Sequence, residues 1–266
     1  MTDLGMITCN YFMRIYDYKE PADFDWMEMS NKWKTEFGRD DFLQLAKEIY
    51  NLGYSSIEIW EPHFSYTMHT EEEAKEMASA LREIGFRRIA YCIGGWGKAD
   101  IDVVDKAYAF AKALGAKVVT GCIQKPDIEV ILPVVEAAGK KHGIVYAIEN
   151  HPSPNLESPE EIAEAMKSYE TIGANLDTGI YNMQGYDVLK AMDTLKGKIF
   201  HSHFKDTVKG GEGCLPIGDG DAPMIGVYKR FQEEGYTGMV SVEFEFPEDP
   251  APGLKKSIDY IKTNMA

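Results

Sequence analysis

Short apolar runs alternate along the chain with longer stretches in which apolar residues return every three or four positions. The runs cover residues 4–10, 56–60, 88–93, 117–122, 144–149, 173–177, 198–204 and 238–246, and their length and content predict eight strands. Amphipathic stretches at 40–51, 71–84, 101–114, 127–142, 159–169, 187–195 and 224–234 predict helices, and a last one closes the chain at 253–263. Ser158-Pro-Glu-Glu offers a capping serine with proline at the first helical position. Gly53, Gly85, Gly115, Gly143, Gly173 and Gly235 fall where a helix would close before the next strand.

This alternation implies parallel strands joined by right-handed crossovers. Eight such units match the size of a (β/α)8 TIM barrel, an α/β fold, here one domain over residues 1–266. An open doubly wound sheet usually carries a Gly-rich phosphate turn after its first strand. Here that strand runs into Tyr11-Phe-Met-Arg, which favours the barrel. Two connections are long: the aromatic-rich β1–α1 loop 11–38 and the Gly-rich β7–α7 loop 207–223. Both follow strands, on the face where barrel active sites are built. The first is expected to be either a substrate lid or a contact in a homo- or hetero-oligomer.

Chemistry gathers at the ends of the last four strands. Glu149, Asp177, His203 and Glu243 each sit at the carboxyl end of an apolar run, on the fifth to eighth strands in turn. A period of two puts Ala147, Glu149 and His151 on one face, and likewise His201, His203 and Lys205, and Ser241, Glu243 and Glu245. Ile148, Leu176, Phe204 and Phe244 then point to the helices. Three carboxylates at one barrel mouth repel one another unless a cation lies between them. Three oxygen donors and an imidazole suit a divalent metal, with Mn²⁺ favoured and Mg²⁺, Co²⁺ or Zn²⁺ as alternatives.

Composition narrows the setting. The 266 residues carry 28 basic and 43 acidic side chains, a formal net charge of −15, which disfavours polyanionic partners and predicts no nucleic-acid role. No apolar run is long enough to span a bilayer, and the opening residues lack a signal-peptide pattern, so no membrane partner is expected. Cys9, Cys92, Cys122 and Cys214 form no CxxC pair, which fits reduced thiols in a cytoplasmic protein.

Ile148-Glu-Asn-His-Pro, Asn175-Leu-Asp-Thr-Gly, His203-Phe-Lys-Asp, Leu215-Pro-Ile-Gly-Asp-Gly-Asp and Gly235-Tyr-Thr-Gly-Met-Val-Ser-Val-Glu-Phe-Glu together resemble the xylose-isomerase-like TIM barrels. That superfamily includes sugar isomerases and epimerases, inosose dehydratases and endonuclease IV. Its metal ligands fall on Glu149, Asp177, His203 and Glu243, the four residues already singled out. In the epimerase members the two ligand glutamates also move the proton. One position departs from the pattern: many relatives have a histidine three residues after the aspartate, where this chain has Ile180. That weakens the likeness to tagatose and psicose epimerases and argues against endonuclease IV activity. Asn182 or Gln184 would have to replace the missing contact.

The resemblance implies a metal-dependent sugar isomerase or epimerase that abstracts a proton beside a carbonyl. Glu149 or Glu243 would take the proton, and the ion and Lys205 would hold the enediolate. His151 is expected to bind a hydroxyl or relay protons. Glu58, His63, Trp96 and Gln184 are expected substrate contacts: Glu58 on the pocket wall, His63 on a mouth loop, and Trp96 stacked on the sugar. His201 lies deeper, as a hydrogen-bonded core residue, whereas His69 and His142 look like surface residues of helices. With no cluster of basic residues, an unphosphorylated sugar is expected. The alternative is a lyase on the same scaffold, dehydrating an inosose-type ketone or cleaving a C-glycoside, with His151 or His63 as the acid. A binding barrel without turnover is a third reading.

Overall fold

The computed structural model describes residues 4–96 and 100–265; residues 1–3, 97–99 and 266 lie outside them. The strands are β1 (Leu4–Ile7), β2 (Ser56–Trp60), β3 (Arg88–Gly95), β4 (Val118–Cys122), β5 (Val145–Glu149), β6 (Ile172–Asp177), β7 (Ile199–Phe204) and β8 (Met239–Val242). They close in sequence order into a parallel barrel, with β8 pairing back onto β1 through Leu4–Val240 and Gly5–Ser241. The chain is therefore a single-domain (β/α)8 TIM barrel. Among the described residues no helix is long and apolar enough to cross a membrane.

Ten α-helices are described: α1 (Trp26–Glu36), α2 (Arg39–Leu52), α3 (Glu71–Ile84), α4 (Ile101–Ala113), α5 (Ile128–His142), α6 (Pro159–Met166), α7 (Thr178–Met183), α8 (Val188–Thr194), α9 (Met224–Glu233) and α10 (Ala251–Asn264). Local sequence explains several starts. Thr70 and Glu73 form a reciprocal capping box on α3, and Ser158 and Glu161 do the same on α6, behind Pro159. Outward strand residues such as Ile57, Ile148, Leu176, Phe204 and Val240 pack with the helices in one continuous core. Inside the barrel Ala90, Val118, Ala147 and Met239 form a separate apolar floor. The interior above that floor is polar.

Two expectations change. Gly173 caps no helix; it lies within β6, where a Cβ would come 2.4 Å from the carbonyl oxygen of Lys198. The connection 11–38 is not a plain loop. Strand β1 ends at Ile7, a 3₁₀ segment spans Thr8–Tyr16, and α1 follows. The indole N–H of Trp33 donates to the carbonyl of Phe12 at 2.9 Å. With Ile7, Cys9, Met13, Met29, Trp60 and Cys92 these two form a second apolar cluster over one side of the mouth. The Gly-rich stretch 207–223 holds no helix or strand, and Asp206 organises it, accepting the N–H groups of Gly218 and Gly220 at 2.7 and 3.1 Å.

Candidate active site

Barrel register brings the acids together. Asp177 lies beside His203 in the β6–β7 ladder, Glu149 beside Asn175, and His203 beside Ser241. Glu243 stands one residue beyond β8, held there by its backbone N–H donating to the carbonyl of Phe204 at 3.0 Å. Asp177 ends β6 and caps α7, with Oδ1 accepting the N–H of Ile180 at 2.8 Å. Its other oxygen is free to face the interior.

One donor atom each from Glu149, Asp177, His203 and Glu243 can be chosen so that all four lie within 4.8 Å of one another. His203 Nδ1 is 3.0 Å from Glu149 Oε1 and 3.1 Å from Glu243 Oε2. Lys205 Nζ is 3.3 Å from Asp177 Oδ2, 3.0 Å from Glu243 Oε2 and 3.1 Å from Glu245 Oε2. All four candidate ligands are buried. Asp177 Oδ2 and Glu243 Oε2 make no hydrogen bond, and only the charges of Lys205 and His203 compensate them.

Electrostatics follow from this crowding. Burial lifts the Asp177 carboxyl to about 8; Lys205 pulls it down, while Glu243 and Glu149 add to the rise. Burial opposes ionisation of Glu149 and Glu243 too, but His203 holds the first below the usual range, and Lys205 with His203 holds the second lower still. His203 is pushed well above an ordinary imidazole: burial acts against its charge, and Glu243, Glu58 and Glu149 overcome it. Crowding thus favours the protonated forms of Asp177 and His203, whose protons a dication would displace. Unbonded buried oxygens, an imidazole nitrogen facing them and an excess of acid are the donor chemistry of a divalent-metal site.

Residues 44–264 match the family described as the Xylose isomerase-like TIM barrel. The chain belongs to that family. L-ribulose-5-phosphate 3-epimerase UlaE of Escherichia coli K12 is 23% identical to it, over 95% of this chain and 94% of that protein. The probable 3-DHS dehydratase AsbF of Bacillus anthracis shares its fold at TM-score 0.74 and 15% identity, over 98% and 99% of the two chains. A Xylose isomerase-like TIM barrel protein of Mycobacterium smegmatis in complex with magnesium does so at TM-score 0.73 and 12% identity, over 100% and 97%.

Within this xylose isomerase-like barrel the acids flank a cavity of about 480 Å³. Glu149, His151, Asn155, Lys205, Glu243 and Glu245 form a polar wall; Ile7, Cys9, Trp26, Trp60 and Cys92 form a largely apolar one. His151 and Lys205 thus stand where the sequence places them. Four expected substrate contacts do not. Glu58 is fully buried below the cavity, bonded to Thr120, His201 and His203, because its strand register sets it one layer deeper than Glu149. His63 is buried at 2% exposure, packed on Trp33, Phe37 and Trp60 on the far side of the apolar wall. Trp96 packs outward against Tyr108 and Tyr146. Gln184 ends α7 away from the cavity lining. Asn182 does not reach the cavity either; its amide donates to Thr207 and Asp221 and ties α7 to the Gly-rich stretch. His142 is bonded to Asp105 at 2.7 Å, and His69 stacks on Phe64.

The sequence reading passed over Glu245, Trp26 and the thiols as site residues. Glu245 holds Lys205 and accepts a weak contact from Cys9 at 3.8 Å; Cys122 makes one to Glu149 at 3.6 Å. The strand period that marked Glu243 also marks Glu245. Trp26 carried no such signal, since its place follows from how α1 folds over β1.

Proposed function

We propose that this chain is a divalent-metal-dependent isomerase or epimerase of a sugar or sugar-derived ketone. The observation that carries it is the convergence of three carboxylates and one imidazole, two of the carboxylates glutamates, at the edge of a monosaccharide-sized cavity. The epimerase UlaE supports the reaction class. Glu149, Asp177, His203 and Glu243 would hold the ion, Mn²⁺ first among candidates; when bound, it polarises the substrate carbonyl as a Lewis acid.

The rest is the work of side chains. Glu149 or Glu243 accepts the proton from the carbon beside the carbonyl, and the other glutamate returns one. Return to the opposite face inverts that carbon; return to the neighbouring carbon isomerises the sugar. Lys205, a donor with no acceptor capacity, faces the oxygen that gains charge. His151 and Asn155 lie on the polar wall for substrate hydroxyls. Among the described residues Lys205 is the sole lysine or arginine lining the cavity, and three carboxylates already surround it, which favours an unphosphorylated substrate. The free thiols of all four cysteines fit a reducing, cytoplasmic setting.

Turnover of a ketose panel in D₂O with Mn²⁺ tests the reading: deuterium enters at the epimerised carbon, and a chelator abolishes the exchange. Full turnover with no label in product, or turnover indifferent to chelation, sinks it. The apolar wall of Ile7, Cys9, Trp26, Trp60 and Cys92 favours a second reading, a lyase acting on a sugar with a bulky apolar part, with His151 as acid. Product mass separates the two, since elimination changes it and isomerisation does not.

A further inference from the structure

Beneath the acid cluster lies a second polar layer that the reaction above does not use. Glu58 and His201, both fully buried, do not line the cavity and meet it only through His203, which does. Thr120 Oγ1 donates to Glu58 Oε1 at 2.6 Å. The other oxygen, Oε2, meets His201 Nε2 at 2.8 Å and His203 Nε2 at 3.1 Å. A carboxylate oxygen only accepts, so both imidazoles carry a proton on Nε2.

For His203 this has a consequence one ring-width away. Its Nε2–H is committed downward to Glu58, so Nδ1 is the nitrogen that faces Glu149 and Glu243 in the upper layer. We propose that Glu58 is a positioning residue for the metal centre: it accepts the Nε2–H of His203, fixes the ring plane, and so leaves Nδ1 as the nitrogen that gives up its proton to an arriving ion. His201 and Thr120 position Glu58 in turn. The inference rests on the metal reading above and deepens it. A carboxylate behind a ligating imidazole fixes its orientation and raises its basicity, and loss of such a partner typically weakens metal binding ~10–100-fold.

Mn²⁺ titration of the folded apo-protein, compared with Glu58→Leu and Glu58→Gln, tests it. Glu58→Leu should weaken Mn²⁺ binding at least ~10-fold. Glu58→Gln retains a carbonyl oxygen able to accept from His203, so it should recover most of the affinity. Long-range ¹H–¹⁵N spectra of the Mg²⁺-loaded protein should show one His203 tautomer, protonated at Nε2, in the wild type and a mixture in Glu58→Leu. If Glu58→Leu is too unstable to purify, Thr120→Val, which loosens Glu58 without removing it, should show a smaller loss of affinity in the same direction. Equal Mn²⁺ affinity and an unchanged tautomer in a folded Glu58→Leu protein overturn the inference and leave the metal site intact. A wild type that takes up neither Mn²⁺ nor Mg²⁺ overturns both.

Discussion

The two polar layers inside this barrel are built from the same residue types and behave in opposite ways. In the lower one Glu58 is matched by three donors, from Thr120, His201 and His203. In the upper one Glu149, Asp177 and Glu243 share His203 and Lys205, and two buried oxygens have no hydrogen bond. A buried carboxylate with a full set of donors is structure; one that lacks them is poised for something to arrive. The layers meet in His203, whose two nitrogens face one each.

The sharpest way to separate the layers is through activity. Glu149→Gln keeps the shape of the upper layer and removes a base, so kcat should fall ~10²–10⁴-fold with little change in melting temperature. Metal-dependent turnover on the substrate identified from the ketose panel measures this, and a loss below tenfold would remove Glu149 from the proton-transfer role.

The next effect is on stability. A divalent cation at about 100 times its Kd should stabilise the wild type by about 2.7 kcal/mol, some 5–10 °C in Tm for a chain of this size. Asp177→Asn should abolish that gain while raising the Tm of the metal-free protein, because it removes one of the crowded acids and leaves an oxygen to cap α7. A variant that metal still stabilises like the wild type would show that Asp177 is no ligand.

His63 asks whether a missing partner is enough to mark a site, because both of its ring nitrogens are unbonded in an aromatic pocket away from the cavity. Burial, aided by Arg14, lowers its pKa to about 3. The folded state thus refuses a proton that the unfolded imidazole takes below pH ~6.5, so stability falls as the pH drops from there towards 3. By pH 5 the loss from this group is about 2 kcal/mol, and it is absent above neutrality. Urea unfolding should show a shallower acid slope for His63→Phe, with activity at pH 7.5 unchanged. Equal slopes would mean that His63 is not buried as a neutral base.

Thr120→Val is the mildest test, aimed at the satisfied layer. Removing one of the three donors to Glu58 should cost roughly 1.5 kcal/mol of folding stability, read as an unchanged denaturant slope with a lower midpoint. No measurable loss would show that Glu58 is adequately held by its two histidines.

The barrel was legible in the sequence because eight short apolar runs, several with a period-two inward face, alternate with amphipathic stretches. The four candidate ligands were legible for the same reason, since a carboxylate at the end of an inward-facing strand has few other places to go. Glu58 shares that signature. Its depth, which separates a wall residue from a positioning residue, depends on its stagger against Ile7 and Ala90 on neighbouring strands. His63 and Trp26 depend on still longer contacts, through a helix whose two buried residues, Met29 and Trp33, are a faint stripe in a polar segment.

Local periodicity and end signals thus determined the strand order, the inward faces and the acidic mouth, because these follow from backbone geometry repeated every few residues. Only the closed barrel decided which acids lie in the same plane, which are supplied with donors and which aromatic side chains cover them. Those are relations of register and burial between segments far apart in the chain, and the identity of a residue carries no record of its distant neighbours.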